Sequence, residues 1–197
     1  EEMISALLHE LFLRKEEITE RVETIYFGGG TPSVLLSDEI NLLINTVYKF
    51  YDVAENAEIT LEANPDDLSI ERVQQLAQSK INRLSIGVQS FFNEDLSMMN
   101  RAHNADEAWD SLQEVTKYFD NVSIDLIYGI PGMSMERWQE NVQKALSLNI
   151  PHISSYALTV EPKTALATLI KKGKIATPDD GVAHEHFLKL IELLEKE

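Results

Sequence analysis

Short runs of β-forming residues alternate with amphipathic helical segments along nearly the whole chain, and no other feature narrows its possible folds so far. Strands joined by helix-length crossovers run parallel. The crossovers are right-handed, because a right-twisted strand followed by a right-handed helix packs back onto its sheet only that way. An opening helix carries Met3, Ile4, Leu7, Leu8, Leu11 and Phe12 at helical spacing. Strands are expected over Thr24–Phe27, Glu58–Glu62, Arg83–Val88, Val122–Tyr128 and His152–Leu158. The intervening helices start at Ser37, at Ser69 as N-cap (ending near Ser79), at Asn93, at Ala105 (to Tyr118) and at Ser134 as cap. The last of these faces Trp138, Val142, Ala145 and Leu146 inward. A short helix and a long one follow the fifth strand. The long one begins at Thr177-Pro178-Asp179-Asp180, with proline at its first position, and the chain is expected to stop inside it. A doubly wound sheet and an incomplete barrel both satisfy this order, and periodicity alone does not separate them.

With 197 residues and 44% apolar content, the chain can bury one sizeable core as a single domain. Its formal net charge of −16 argues against nucleic acid, whose phosphates demand clustered Lys and Arg. The longest basic patch, Lys171-Lys172-Gly173-Lys174, reads as a solvated helix end. No apolar run approaches the roughly 20 residues of a membrane span, and no export signal opens the chain. Cysteine is absent, which excludes disulfides and thiolate metal sites and fits a cytoplasmic location. The histidines offer no substitute: His184 and His186 stand two apart on a helix and point to different faces. No residue is assigned as a metal ligand.

In parallel α/β folds, ligands bind at the carboxyl ends of the strands. The unusual residues of this chain fall there, on separate strands. Gly28-Gly29-Gly30-Thr31 closes the first strand, Glu62 the second and Gln89 the third; Asp125 lies within the fourth, and Tyr156 and Ala157 near the end of the fifth. The glycines match neither the dinucleotide G-x-G-x-x-G pattern nor a P-loop. They leave carbonyls open to a cation, or simply supply a tight turn. Glu62 ends an apolar strand, so its carboxylate needs a ligand or a salt bridge, with Arg83 or Arg101 as candidates. Gln89 both donates and accepts, toward a ligand or between two strands. Asp125 suits a diol, or serves as a structural anchor. Arg137 is assigned to the surface, Trp138 to packing, and Met98-Met99 to filling a helix.

The segments Thr24-Ile25-Tyr26-Phe27-Gly28-Gly29-Gly30-Thr31-Pro32-Ser33, Leu61-Glu62-Ala63-Asn64-Pro65, Gly87-Val88-Gln89-Ser90-Phe91 and Asp125-Leu126-Ile127-Tyr128-Gly129-Ile130-Pro131 together resemble the radical S-adenosylmethionine (SAM) proteins related to oxygen-independent coproporphyrinogen III oxidase. The resemblance covers nearly the whole chain and implies an α/β fold of parallel β/α repeats, a partial (β/α)6 TIM-like barrel with its first strand missing. It also implies cofactor-binding roles for Gly29, Gly30, Thr31, Glu62, Gln89, Arg101, Asp125 and Ala157. The glycine loop would meet the methionyl amino group of SAM, Arg101 its carboxylate or ribose oxygens, Asp125 the ribose, and Tyr156-Ala157 the adenine. A lone arginine is usually a surface residue, so the role of Arg101 comes from the resemblance alone.

Such proteins hold a [4Fe–4S] cluster with thiolates. Since this chain has none, the expectation is a truncated core domain over residues 1–197, binding SAM, with the cluster held only by the full protein and no catalytic residue or redox activity in the chain alone. Arg83–Phe91, Asn100–His103 and Ser155–Thr164 resemble HemW-type heme chaperones more than the oxidase branch. The chaperone branch implies heme and a heme-accepting protein as partners. The oxidase branch implies radical decarboxylation of a porphyrinogen. From a different class, a non-catalytic α/β binding module would carry no cluster; a missing first strand would leave it an exposed sheet edge.

Overall fold

The computed structural model describes residues 2–196. Helix α1 (Glu2–Leu13) precedes β1 (Val22–Phe27), α2 (Ser37–Phe50), β2 (Val53–Ala63), α3 (Ile70–Ala77) and β3 (Arg83–Gln89). Then come α4 (Asn93–Met98), α5 (Ala105–Val115), β4 (Val122–Tyr128), α6 (Met135–Ser147), β5 (His152–Ala157), α7 (Ala165–Lys171) and α8 (Asp180–Leu194). The five strands form one sheet in the order β1-β2-β3-β4-β5, every neighbouring pair parallel. That order resolves the ambiguity left by periodicity. A doubly wound sheet reverses direction at a switch point, whereas here each crossover advances the same way and the sheet curls into a half-barrel.

Register assigns the two faces. Ile25, Ile59, Phe27, Leu61, Leu84, Ile86, Val122 and Ile124 alternate outward, where α2, α3, α5, α6 and α8 bury them in one cluster. The inward positions are polar: Tyr26, Thr60 and Arg83 share one row, Glu62, Ser85 and Ser123 the next, and Asp125 pairs with Ser154. Apolar burial, at about 25 cal/mol per Å², therefore lies almost wholly between sheet and helices. The concave side is left to polar chemistry.

Several ends differ from expectation for local reasons. Strand β2 begins at Val53 rather than Glu58, and a register shift between Val22 and Thr24 absorbs the extra length. Helix α5 ends at Val115, not Tyr118, in a turn where Lys117 N–H donates to Glu114 O. Asp179 caps α8, accepting from the amides of Gly181 at 2.7 Å and Val182 at 3.1 Å. Pro178 thus precedes the cap instead of opening the helix, and the helix closes at Leu194. Arg137 is not a surface residue alone: its Nη1 donates at 3.0 Å to Asp95, whose side chain is fully buried. Trp138 is 0% exposed as expected, and its Nε1 donates to His186 O at 2.8 Å. His186 in turn accepts the Gly129 amide on Nδ1 at 3.2 Å, which ties α8 to the end of β4. His184 is exposed and His186 buried, on different faces of α8.

Candidate functional site

At the carboxyl rim of the sheet the polar inner face closes around a cavity of about 170 Å³, lined by Gly30, Thr31, Pro32, Glu62, Ala63, Asn64, Ser85, Gly87, Gln89, Arg101 and Asp125. Six of the eight candidate residues meet there: Gly30, Thr31, Glu62, Gln89, Arg101 and Asp125. Gly29 stands one bond behind the wall, donating its amide to Glu62 Oε2 at 3.1 Å. Ala157 does not line this cavity. It ends β5 opposite Tyr128, and alternation puts it on the other face from Tyr156.

The glycine loop is shaped by Glu62. This carboxylate accepts from Tyr26 Oη at 2.7 Å and from Gly29 N. A Cβ on Gly28 would lie 2.5 Å from the Tyr26 ring and 3.1 Å from Glu62 Oε1, so a side chain there would push the Tyr26 ring from its place against Glu62. Gly29 and Gly30 then turn with φ of 77° and 66°. Burial, with the Glu62 hydrogen bond second, raises the Tyr26 phenol above its ordinary value. The expected salt-bridge alternatives for Glu62 do not form among the described residues. Arg83 turns instead to Ser123 Oγ at 2.9 Å, Thr60 Oγ1 at 3.4 Å and Glu58 at 3.9 Å.

Arg101 arrives from the turn between α4 and α5. Its Nη2 donates to Asn64 Oδ1 at 2.7 Å and to Gly87 O at 3.3 Å, while its Nε is buried with no partner. A guanidinium left with an unused buried donor fits an anionic or carbonyl-rich ligand. Gln89 sits where β3 loses register with β4, with φ of 68°. The bulged carbonyl of Val88 is held at 3.0 Å by Nε2 of His103, itself 3% exposed. Gly87 makes room for both groups, since a Cβ there would lie 2.9 Å from Gln89 Nε2 and 3.4 Å from Arg101 Nη2. Asp125 is half-buried, and its carboxyl is raised by desolvation first and by Glu62 second, while Ser154 and Arg101 pull it down.

Asn64, Ser85, Gly87 and Tyr26 were not singled out by sequence. Ser85 had a signal: it lies four residues before Gln89 on β3, an even spacing that alternation puts on one face; Asn64 stands just past the end of β2. A second cleft of about 500 Å³ adjoins the cavity, sharing Gln89 and Arg101 and lined also by Met98, Met99, Ile127, Leu158, Leu166 and Leu169. The two methionines therefore both pack on the core and face this cleft. Among the described residues no group of three His, Asp or Glu suits a metal ion, and no helix is long and apolar enough to cross a membrane.

A sequence profile of the radical SAM superfamily matches residues 6–145. The heme chaperone HemW of Lactococcus lactis is 37% identical over 90% of this chain and 47% of its own length. The mitochondrial radical S-adenosyl methionine domain-containing protein 1 of Mus musculus is 35% identical over 85% of this chain and 38% of its own. Among solved structures, coproporphyrinogen III oxidase (HemN) from Escherichia coli, described as a radical SAM enzyme, superposes with a TM-score of 0.84 at 26% identity, covering 98% of this chain and 44% of that one. The chain spans about half the length, or less, of the curated relatives it matches.

Proposed function

Because this chain belongs to the radical SAM superfamily, we propose that its rim cavity binds SAM and that it forms the SAM-binding portion of a HemW-like protein that handles heme. One observation carries the reading: residues from the ends of β1 to β4 and from the α4–α5 turn converge on a single polar cavity whose buried Arg101 Nε has no partner. Glu62 and the glycine-loop carbonyls suit an ammonium group, Arg101 a carboxylate, and Asp125 a ribose diol. At about 170 Å³ the cavity is smaller than a usual cofactor pocket of about 300–1,000 Å³. The adjoining cleft of about 500 Å³, reached past Gln89 and Arg101, supplies the remaining room.

The family's [4Fe–4S] cluster is a different matter. No cysteine exists in these 197 residues, so they provide no thiolate ligand for it and no step through it is derived. SAM, when bound, would be the electron acceptor and radical source of the family's chemistry; the residues here would bind and orient it. Turnover of coproporphyrinogen by this chain alone would refute that division of labour.

The heme assignment rests on the HemW relatives at 36–38% identity. A second reading, oxidative decarboxylation of coproporphyrinogen III, is favoured by the superposition on the oxidase. Calorimetric titration of SAM into this chain and an Asp125→Ala, Glu62→Ala variant tests the cavity: binding lost in the variant supports it. Silence from both this chain and a longer, cluster-bearing protein ends the SAM reading. In that longer protein, heme transfer to an acceptor against porphyrinogen decarboxylation separates the two readings.

A further inference from the structure

The loop that carries Gly30 and Thr31 is held at two places. Inside the barrel, Glu62 takes the Gly29 amide. On the helix side, Arg72 from the first turn of α3 donates Nη1 to Ser37 Oγ at 2.7 Å, and Nη2 to Leu35 O at 2.5 Å and Ser33 O at 3.3 Å. Ser33, 3% exposed, adds a bond from its Oγ to Asp67 Oδ2 at 2.6 Å. Between the two anchors lie only Gly30, Thr31 and Pro32, the part of the loop that walls the cavity.

The chemistry of the outer anchor is specific to a guanidinium. Its acceptors are two carbonyls and one hydroxyl, so charge pairing does not explain its place. A rigid planar fork reaches these acceptors in different directions at once, which a single ammonium does not. Burial lowers the proton affinity of Arg72, with Asp67 opposing. Burying a cation costs stability, which is offset here by three hydrogen bonds and by the nearby Asp67.

We propose that Arg72 is a positioning residue for the ligand loop, holding segment 33–37 from behind so that Gly30 and Thr31 keep their place on the cavity wall. The inference rests on reading that cavity as the SAM site, but the clamp itself can be observed without ligand. An outer cavity of about 370 Å³, lined by Ser33, Leu35, Asp67, Arg72 and Gln75, leaves Arg72 reachable by a small cation.

The test is amide hydrogen exchange, read beside SAM titration, on this chain with Arg72→Lys and Arg72→Ala. Both variants should exchange the amides of residues 29–36 about tenfold faster, and bind SAM about tenfold more weakly, with β3 and β4 unchanged; tenfold corresponds to about 1.4 kcal/mol. Millimolar guanidinium should restore protection and affinity in Arg72→Ala, not in Arg72→Lys, and leave the parent chain unaffected. A role in bulk stability alone would not give that rescue. Unchanged loop exchange in both variants, or absent rescue, overturns the proposal. Should Arg72→Ala not fold, Ser37→Ala removes one acceptor and should speed exchange in the same segment; no change there also overturns it. If the parent chain fails to bind SAM while exchange and rescue behave as expected, the clamp stands and the SAM assignment falls.

Discussion

Gln89 lets backbone strain and side-chain function be measured apart. Its φ of 68° lies in the left-handed region, at the register break between β3 and β4. An L-residue held there costs about 1–2 kcal/mol. Glycine escapes that cost but loses about 0.5–1 kcal/mol through greater freedom in the unfolded chain. The Gln89→Ala and Gln89→Gly variants delete the same polar side chain from the cavity, and only the second relieves the backbone. Gln89→Gly should therefore be more stable than Gln89→Ala by about 0.5–1 kcal/mol, or about 1–4 °C in Tm for a domain of this size. Thermal unfolding followed by circular dichroism reads the difference, and SAM titration should find both variants weakened alike. If the alanine variant is the more stable, the left-handed geometry at Gln89 carries no strain and the reasoning fails.

Other perturbations separate space, charge and protonation. Gly87→Ala places a Cβ 2.9 Å from Gln89 Nε2 and 3.4 Å from Arg101 Nη2. It should cut SAM affinity about tenfold, about 1.4 kcal/mol by calorimetry, while leaving Tm within a few degrees. The Asp125 carboxyl is raised in the folded state by desolvation and then by Glu62. The folded chain therefore holds that proton more tightly than the unfolded one, and stability is lost as pH rises through the folded value. Asp125→Asn should accordingly unfold at higher urea than the parent at pH 7, with the gap closing in acid, while SAM binding weakens. His186 is shifted the other way, lowered by burial against a weaker opposing pull from Glu185. Its contribution is present above the unfolded value near 6.5 and lost as pH falls through the folded one. A His186→Gln variant should flatten that part of the urea-midpoint profile below pH 6.5.

The β/α order and most of the cavity were legible in sequence because both depend on local alternation. Glu62 is polar among apolar neighbours, and such an alternation is visible without a structure; Ser85 shows the same pattern but was not singled out. Whether the sheet curled was not visible, since strand order is set by contacts between distant segments. Arg137 illustrates the same limit: its buried partner Asp95 lies 42 residues away. Arg72 was less legible still, because two of its acceptors are backbone carbonyls, which every residue possesses. The role proposed for Arg101 came from the family resemblance and not from its surroundings. Only the structure gives it an unpartnered Nε and a bond to Asn64.

The division of the sheet into an apolar outer face and a polar inner one separates the causes of stability and of binding. From Ile59 onward, the fully buried aliphatics of β2 to β4 pack in one cluster with the helices. Each cavity carboxylate faces inward, at partial exposure. Glu62 shows what this permits. Its oxygens accept from Tyr26 and Gly29, so the carboxylate holds the glycine loop in shape before any ligand arrives. The ammonium of the proposed ligand would then meet a fixed acceptor and would not have to order a free one, which would remove part of the entropic cost of binding. The same coupling makes Glu62→Ala a loss of two things at once, the acceptor and the loop's inner anchor. Glu62→Gln removes the charge but keeps one carbonyl acceptor, for the Gly29 amide, and turns its NH2 toward Tyr26 Oη, which can accept. The difference in SAM affinity between these two variants therefore measures the loop anchor, and the difference between Glu62→Gln and the parent measures the charge.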